Sequence, residues 1–150
     1  WRETVLVGKT HDENAYAMGG YGGHAGLFGT AKEVFVLADM LRSHFLGERS
    51  DFFSRETVAA FLSPQAGGGF QPRALSWDMP SPRGSSSGRY FSRYSVGHLG
   101  FTGTSLWMDL ERDLIVVLLT NRVHPSRNNE KIKLFRPVFH DAVVEAMDSL

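Results

Sequence analysis

The stretch "SVGHLGFTGTSLWMD", residues 95–109, decides how this chain is read. It passes from a Gly-rich step into residues of strand composition. "TSLWMD" (104–109) and "DLIVVLLTN" (113–121) are two strand candidates, and the residues around Leu110–Arg112 suit the hairpin turn between them. The second candidate is apolar without alternation from Leu114 to Leu119, which predicts a strand buried on both faces. Within the step, Gly97 and Gly100 would let another backbone or a ligand approach the strand edge closely. His98 is the residue that a plain sheet corner does not need. A histidine there offers a hydrogen bond or a positive charge near neutral pH; the alternative is a solvent-facing histidine at the corner.

Working outward, residues 136–150, "RPVFHDAVVEAMDSL", predict a C-terminal helix with Pro137 in its first turn. Val138, Phe139, Ala142, Val143, Ala146, Met147 and Leu150 form its apolar stripe. Upstream, residues 63–93 form a long surface excursion, rich in Pro, Gly and Ser ("GGGFQP", "PSPRGSSSG"), around one short strand candidate, "ALSWDM". Residues 30–62 hold two helices. Thr30 and Glu33 have the spacing of a capping box for the first, whose face is Val34, Leu37, Ala38, Leu41 and Phe45. Gly47 ends it. Ser54 caps the second, which runs to Leu62 and stops before Pro64. Residues 1–29 read as a Gly-rich loop lining a cleft. The expected class is α+β, an antiparallel sheet flanked by helices. A sheet of three or four strands with these few helices is short of cover on one face, which predicts a missing partner segment.

Composition narrows the function classes. The chain has 150 residues, 42% hydrophobic and 21% charged, with sixteen basic residues against sixteen acidic. That is one domain's length, and the balance gives no electrostatic reason to expect nucleic acid as a partner. There is no cysteine, so disulfides, thiolate zinc sites and a cysteine nucleophile are excluded. No apolar run reaches the roughly 20 residues that span a bilayer. "GYGGHA" (20–25) fits a loose dinucleotide pattern but follows no strand, so a glycine turn is the better reading. "HDEN" (11–14) reads as a polar loop tied by its own side chains rather than as metal ligands. His44, His124 and His140 read as structural. Thr104 and Ser105 follow Gly103, yet they do not form G-x-S-x-G and lead into a strand, so no nucleophile elbow is expected there.

"GHLGFTGTSLWMDLERDLIVVLLTNRVHP" (97–125) resembles the C-terminal portion of the serine β-lactamase/penicillin-binding-protein-like hydrolases, in their class C and esterase-like branch. "HDENAYAMGGYGGHAGLFGTAKEV" (11–34) and "RPVFHDAVVEAM" (136–147) are similar to further segments of that family, so the resemblance covers nearly the whole chain. Such enzymes use S-x-x-K, then Tyr-x-Asn or Ser-x-Asn, then K-T-G or H-x-G on an edge strand. His98-Leu99-Gly100 matches the third element in its histidine form. The resemblance implies that His98 projects into the active-site cleft and that Leu99, Gly100 and Thr102 meet the substrate. It also implies that the backbone N–H of Phe101 is one arm of an oxyanion hole. Leu99 stands where the family often has a hydroxyl donor for the carboxylate of a β-lactam, which shifts weight from penicillins towards esters and amides. No metal or organic cofactor is implied.

None of the serines here has a lysine three residues later, and no tyrosine is followed two places on by asparagine. A hydroxyl nucleophile without an adjacent base is not activated. The expectation is a C-terminal fragment, inactive alone, that forms one wall of an active site completed by a preceding segment. Its substrate would be a small acyl compound (ester, amide or lactam). Alone, the fragment would self-associate. The alternative is a non-catalytic binding or structural domain that keeps the sheet.

Overall fold

A computed structural model describes residues 4–65 and 72–149. Leu150 and most of "GGGFQP" lie outside the described residues. The chain divides into two compact units, Trp1–Thr30 and Ala31–Leu150. In the first, the stretch expected as loop contains a short helix, Glu13–Ala17 (α1). The Asp12 carboxylate caps it, accepting the Ala15 N–H at 2.8 Å, and the same oxygen lies 2.9 Å from Nε2 of His24. Gly22 and Ala25 close a tight turn.

In the second unit, Ala31–Leu46 (α2) and Arg55–Leu62 (α3) match the predicted spans. Ser54 accepts the Thr57 N–H as N-cap of α3, and Val58 and Leu62, one turn apart, are its buried residues. His44 holds the connection between these helices. Its Nδ1–H donates to the Met40 carbonyl at 2.7 Å, and its Nε2 accepts the Phe52 N–H at 3.3 Å.

"ALSWDM" is not one strand. Arg73–Ala74 (β1) and Trp77–Asp78 (β2) form a hairpin about Leu75 and Ser76, with Ser76 at φ 64°. Reversal there buries Ala74 and brings Arg73 within 2.8 Å of Asp78, an ion pair that a continuous strand could not make. Val96–Leu99 (β3), Ser105–Asp109 (β4) and Leu114–Leu118 (β5) complete an antiparallel sheet of order β1-β2-β3-β4-β5. The class is α+β. β5 is an edge strand, and Leu114, Ile115 and Val117 are only half-buried. Its apolar run still packs on both faces, Ile115 against the cluster of Val96 and Met108, and Leu114 and Val116 against that of Phe91 and Trp107.

Both sheet faces carry a core. On one, Val96 and Met108 pack with Ala38 of α2 and with Val58 and Leu62 of α3. On the other, Trp107 and Val116 pack with Phe91 and with Val144 of the C-terminal helix, Ile132–Asp148 (α4). The Asp109 carboxylate, 1% exposed, ties the end of β4. It accepts the N–H and hydroxyl of Ser92, each at 2.7 Å, and the N–H groups of Glu111 and Arg112.

α4 begins at Ile132, four residues before the predicted start, so Pro137 lies inside it rather than in its first turn. Its buried ridge is Ile132, Arg136, His140 and Val144, at i, i+4 spacing. The predicted stripe is half displaced: Val138, Ala142, Ala146 and Met147 face solvent. Two of the four ridge positions are polar because each finds partners inside. His140 donates from Nδ1 to the Ser86 carbonyl at 2.8 Å, and the Ser105 hydroxyl lies 3.3 Å from its Nε2. Burial pushes His140 below the ordinary histidine value, an effect the Ser86 carbonyl only partly offsets. A histidine with a depressed folded pKa binds fewer protons folded than unfolded. Its contribution to stability is therefore complete above the unfolded pKa and is lost as pH falls through the folded one. Urea titrations should show stability falling as pH drops below about 6.5, with a shallower fall in His140→Phe. An equal slope in the variant would refute this.

Candidate active-site strand

β2 reaches β3 only at Asp78 opposite Gly97, whereas β4 pairs along the whole of β3 from Val96 to Leu99. Among the described residues, β3 past Gly97 is paired on one side. His98 is exposed and stands opposite Leu106; Leu99 is half-buried opposite Ser105. Alternation along the strand puts them on opposite faces. His98 shares the face of Val96 and Met108, and Leu99 shares the face of Ser105, which α4 covers through His140.

The two glycines of the step are filled by the chain itself. A Cβ on Gly97 would overlap the six-membered ring of Trp107 and come within 2.7 Å of the Leu106 carbonyl oxygen. A Cβ on Gly100 would collide with the Thr104 hydroxyl. Gly100 opens a tight turn in which its N–H donates to the Thr104 carbonyl at 2.8 Å and its own carbonyl accepts the Gly103 N–H at 3.0 Å.

Phe101, at the tip, is 55% exposed, and the Arg122 guanidinium lies 4.3 Å from its ring centroid. Arg122 also donates from Nε to the Phe101 carbonyl at 2.8 Å, and its backbone N–H donates to the Thr102 carbonyl at 2.8 Å. Beneath the turn, Arg136 is 6% exposed. Its Nη2 donates to the carbonyls of Gly100 and Thr104, each at 2.8 Å, and its Nε to that of Gly103 at 3.2 Å. Burial first, and the Arg122 charge second, push its pKa down.

A cavity of about 230 Å³ is lined by Leu99, Gly100 and Phe101 from the sheet side and by Arg122, Ile132, Lys133 and Arg136. It gathers three of the predicted site residues. His98 and Thr102 are not among its walls. A larger groove of about 880 Å³, walled by Met79, Phe91, Tyr94 and Asp141 among others, contains none of residues 98–102. The smaller cavity is the candidate because it holds the half-paired strand end and the cations. The hydroxyl–imidazole pair Ser105–His140 is buried under α4 and absent from both linings. Sequence reading missed Arg122 and Arg136. The usable signal for Arg136 was its place in the i, i+4 series with Ile132 and Val144, a series that hydrophobicity alone interrupts.

The Beta-lactamase family model matches residues 2–136. The chain belongs to the β-lactamase family. An N-acetylmuramyl-L-alanine amidase of Bacillus subtilis (strain 168) is 35% identical over 130 residues, 82% of this chain and 28% of the relative. A protein of Salmonella gallinarum named D-alanyl-D-alanine carboxypeptidase is 34% identical over 139 residues, 87% of this chain and 31% of the relative. The chain thus spans under a third of either curated relative. A crystal structure of a β-lactamase from Mycobacterium bovis superimposes with a TM-score of 0.61 at 23% identity, over 78% of this chain and 44% of that one. At that identity the likeness concerns the fold. The antiparallel sheet with helices on both faces is thus a β-lactamase-family sheet, and the family is of serine-hydrolase type.

Proposed function

We propose that these residues form the strand wall of a serine-hydrolase active site whose nucleophile is encoded before Trp1. The serine oxygen attacks an amide, ester or lactam carbonyl, the bond to the leaving group breaks, and the leaving group takes the serine's proton. Water then hydrolyses the acyl-enzyme, releasing the acid and restoring the serine. In this reading the Phe101 N–H is one oxyanion donor. His98 presents an exposed imidazole on the face of β3 away from the Leu99-lined cavity, where the preceding segment would meet it, and Leu99, Gly100 and Thr102 border the acyl group. The observation that carries the reading is the strand end itself: H-x-G at the point where β3 loses one neighbour, beside a cavity that Leu99, Gly100 and Phe101 line. The names of the two curated relatives favour an amide as the bond opened. Leu99 offers no donor for a substrate carboxylate.

The test is a fluorophosphonate probe on the longest natural product of the gene, with mass-spectrometric location of the label. The expected label is on a serine outside these 150 residues, followed by lysine three positions later. No label, or a label on a serine within the 150, overturns the reading; no label would favour a non-catalytic binding domain.

The same reading predicts how the 150 residues behave alone. Leu134 and Val138, one turn apart on α4, are 79% and 66% exposed, and Phe135 beside them is 49% exposed. Such a patch is covered in a finished protein. The isolated chain should form concentration-dependent oligomers in sedimentation and bind a hydrophobic dye, whereas the full-length product should do neither. A dye-silent monomer at high concentration would count against a missing covering segment.

A further inference from the structure

We infer that Arg136 is a positioning residue for the oxyanion donor: it holds the Gly100–Phe101 peptide plane from inside the fold and thereby sets the direction of the Phe101 N–H. This rests on the serine-hydrolase reading above. The Gly100 carbonyl and the Phe101 N–H belong to one planar trans peptide, so fixing the oxygen fixes the hydrogen on the opposite side. The Gly100 oxygen accepts two bonds, from the Gly103 N–H at 3.0 Å and from Arg136 Nη2 at 2.8 Å. Two acceptor directions held by donors from different elements leave that plane little freedom to rotate. A cationic donor on the carbonyl also polarises the amide, which makes its N–H a stronger donor.

The identity of the residue is informative. A helix ridge buried against a sheet needs only apolar side chains, as Ile132 and Val144 supply at either end of this one. None of the described ion pairs of the chain includes Arg136, and burying a cation without a carboxylate is costly. The planar fork meets three converging carbonyls, which a point charge cannot match. From outside, Arg122 Nε holds the next carbonyl, that of Phe101. Successive peptide planes on either side of Phe101 are therefore each gripped by a guanidinium.

The experiment uses the full-length gene product with two activated esters, one neutral and one carrying a carboxylate. Arg136→Met and Arg136→Lys are compared with wild type for kcat, KM and thermal midpoint. Loss of orientation should lower kcat on both esters, by about 100-fold for Met and about 10-fold for the charge-keeping Lys, with KM little changed. If Arg136→Met does not fold, Arg136→Lys alone carries the expectation. A folded variant with unchanged kcat overturns the inference, and so does a loss confined to a raised KM for the anionic ester, which would mean direct contact with substrate. Wild-type protein inert to both esters and to fluorophosphonate overturns the serine-hydrolase reading and this inference with it.

Discussion

Gly97→Ala should lower the unfolding free energy of the Ala31–Leu150 unit by about 3 kcal/mol, read as an earlier urea midpoint in the full-length product. The added methyl would enter space held by the Trp107 ring and by the Leu106 carbonyl. Neither can yield cheaply. Trp107 is 1% exposed and packed between Phe91, Val116 and Val144, and the Leu106 carbonyl belongs to the backbone of β4. The indole Nε1 has no hydrogen-bond partner among the described residues, so the ring is placed by shape alone, and shape is what the methyl disturbs. β3 would have to move away from β4, and the step carrying His98 and Gly100 would move with it. A midpoint equal to wild type would show that the indole has room to spare.

The second large effect is functional. His98→Ala in the full-length product should lower kcat/KM by about 10- to 1000-fold while leaving stability within about 0.5 kcal/mol of wild type. The separation of the two readouts follows from position. His98 is exposed on a strand whose neighbours Val96 and Gly97 are buried, so truncating it removes no core contact. His98→Gln, which keeps a hydrogen-bonding tip but cannot take a proton, separates the roles. Recovery of activity would assign hydrogen bonding, and none would assign charge or proton transfer. Unchanged kinetics in His98→Ala would make it an ordinary surface histidine.

Where signals were local, the sequence was legible. Ser54 announces α3 because a cap acts within one turn, and it accepts the Thr57 N–H as expected. The pair β4 and β5 follows from strand composition around a short turn. Misreadings arose where a residue's role depends on partners far along the chain. Ser76 reverses "ALSWDM" because Arg73 then meets Asp78 and Ala74 joins the core. Val138 looks like part of the buried stripe of α4 until the ridge of Ile132, Arg136, His140 and Val144 takes the packed side.

From sequence alone came the α+β class, the helices α2 and α3, the β4–β5 pair, and the H-x-G step with its family resemblance. Each depends on spacing along the backbone or on a contiguous motif. Only the tertiary structure decided which residues grip that step. Arg136 and His140 look misplaced in an apolar helix face until the carbonyls of Gly100, Gly103 and Thr104 and that of Ser86 arrive from 32 to 54 positions away. A buried polar side chain is stable only when its partners are present. Those partners are set by how strands and helix pack, a property that no local stretch of residues contains.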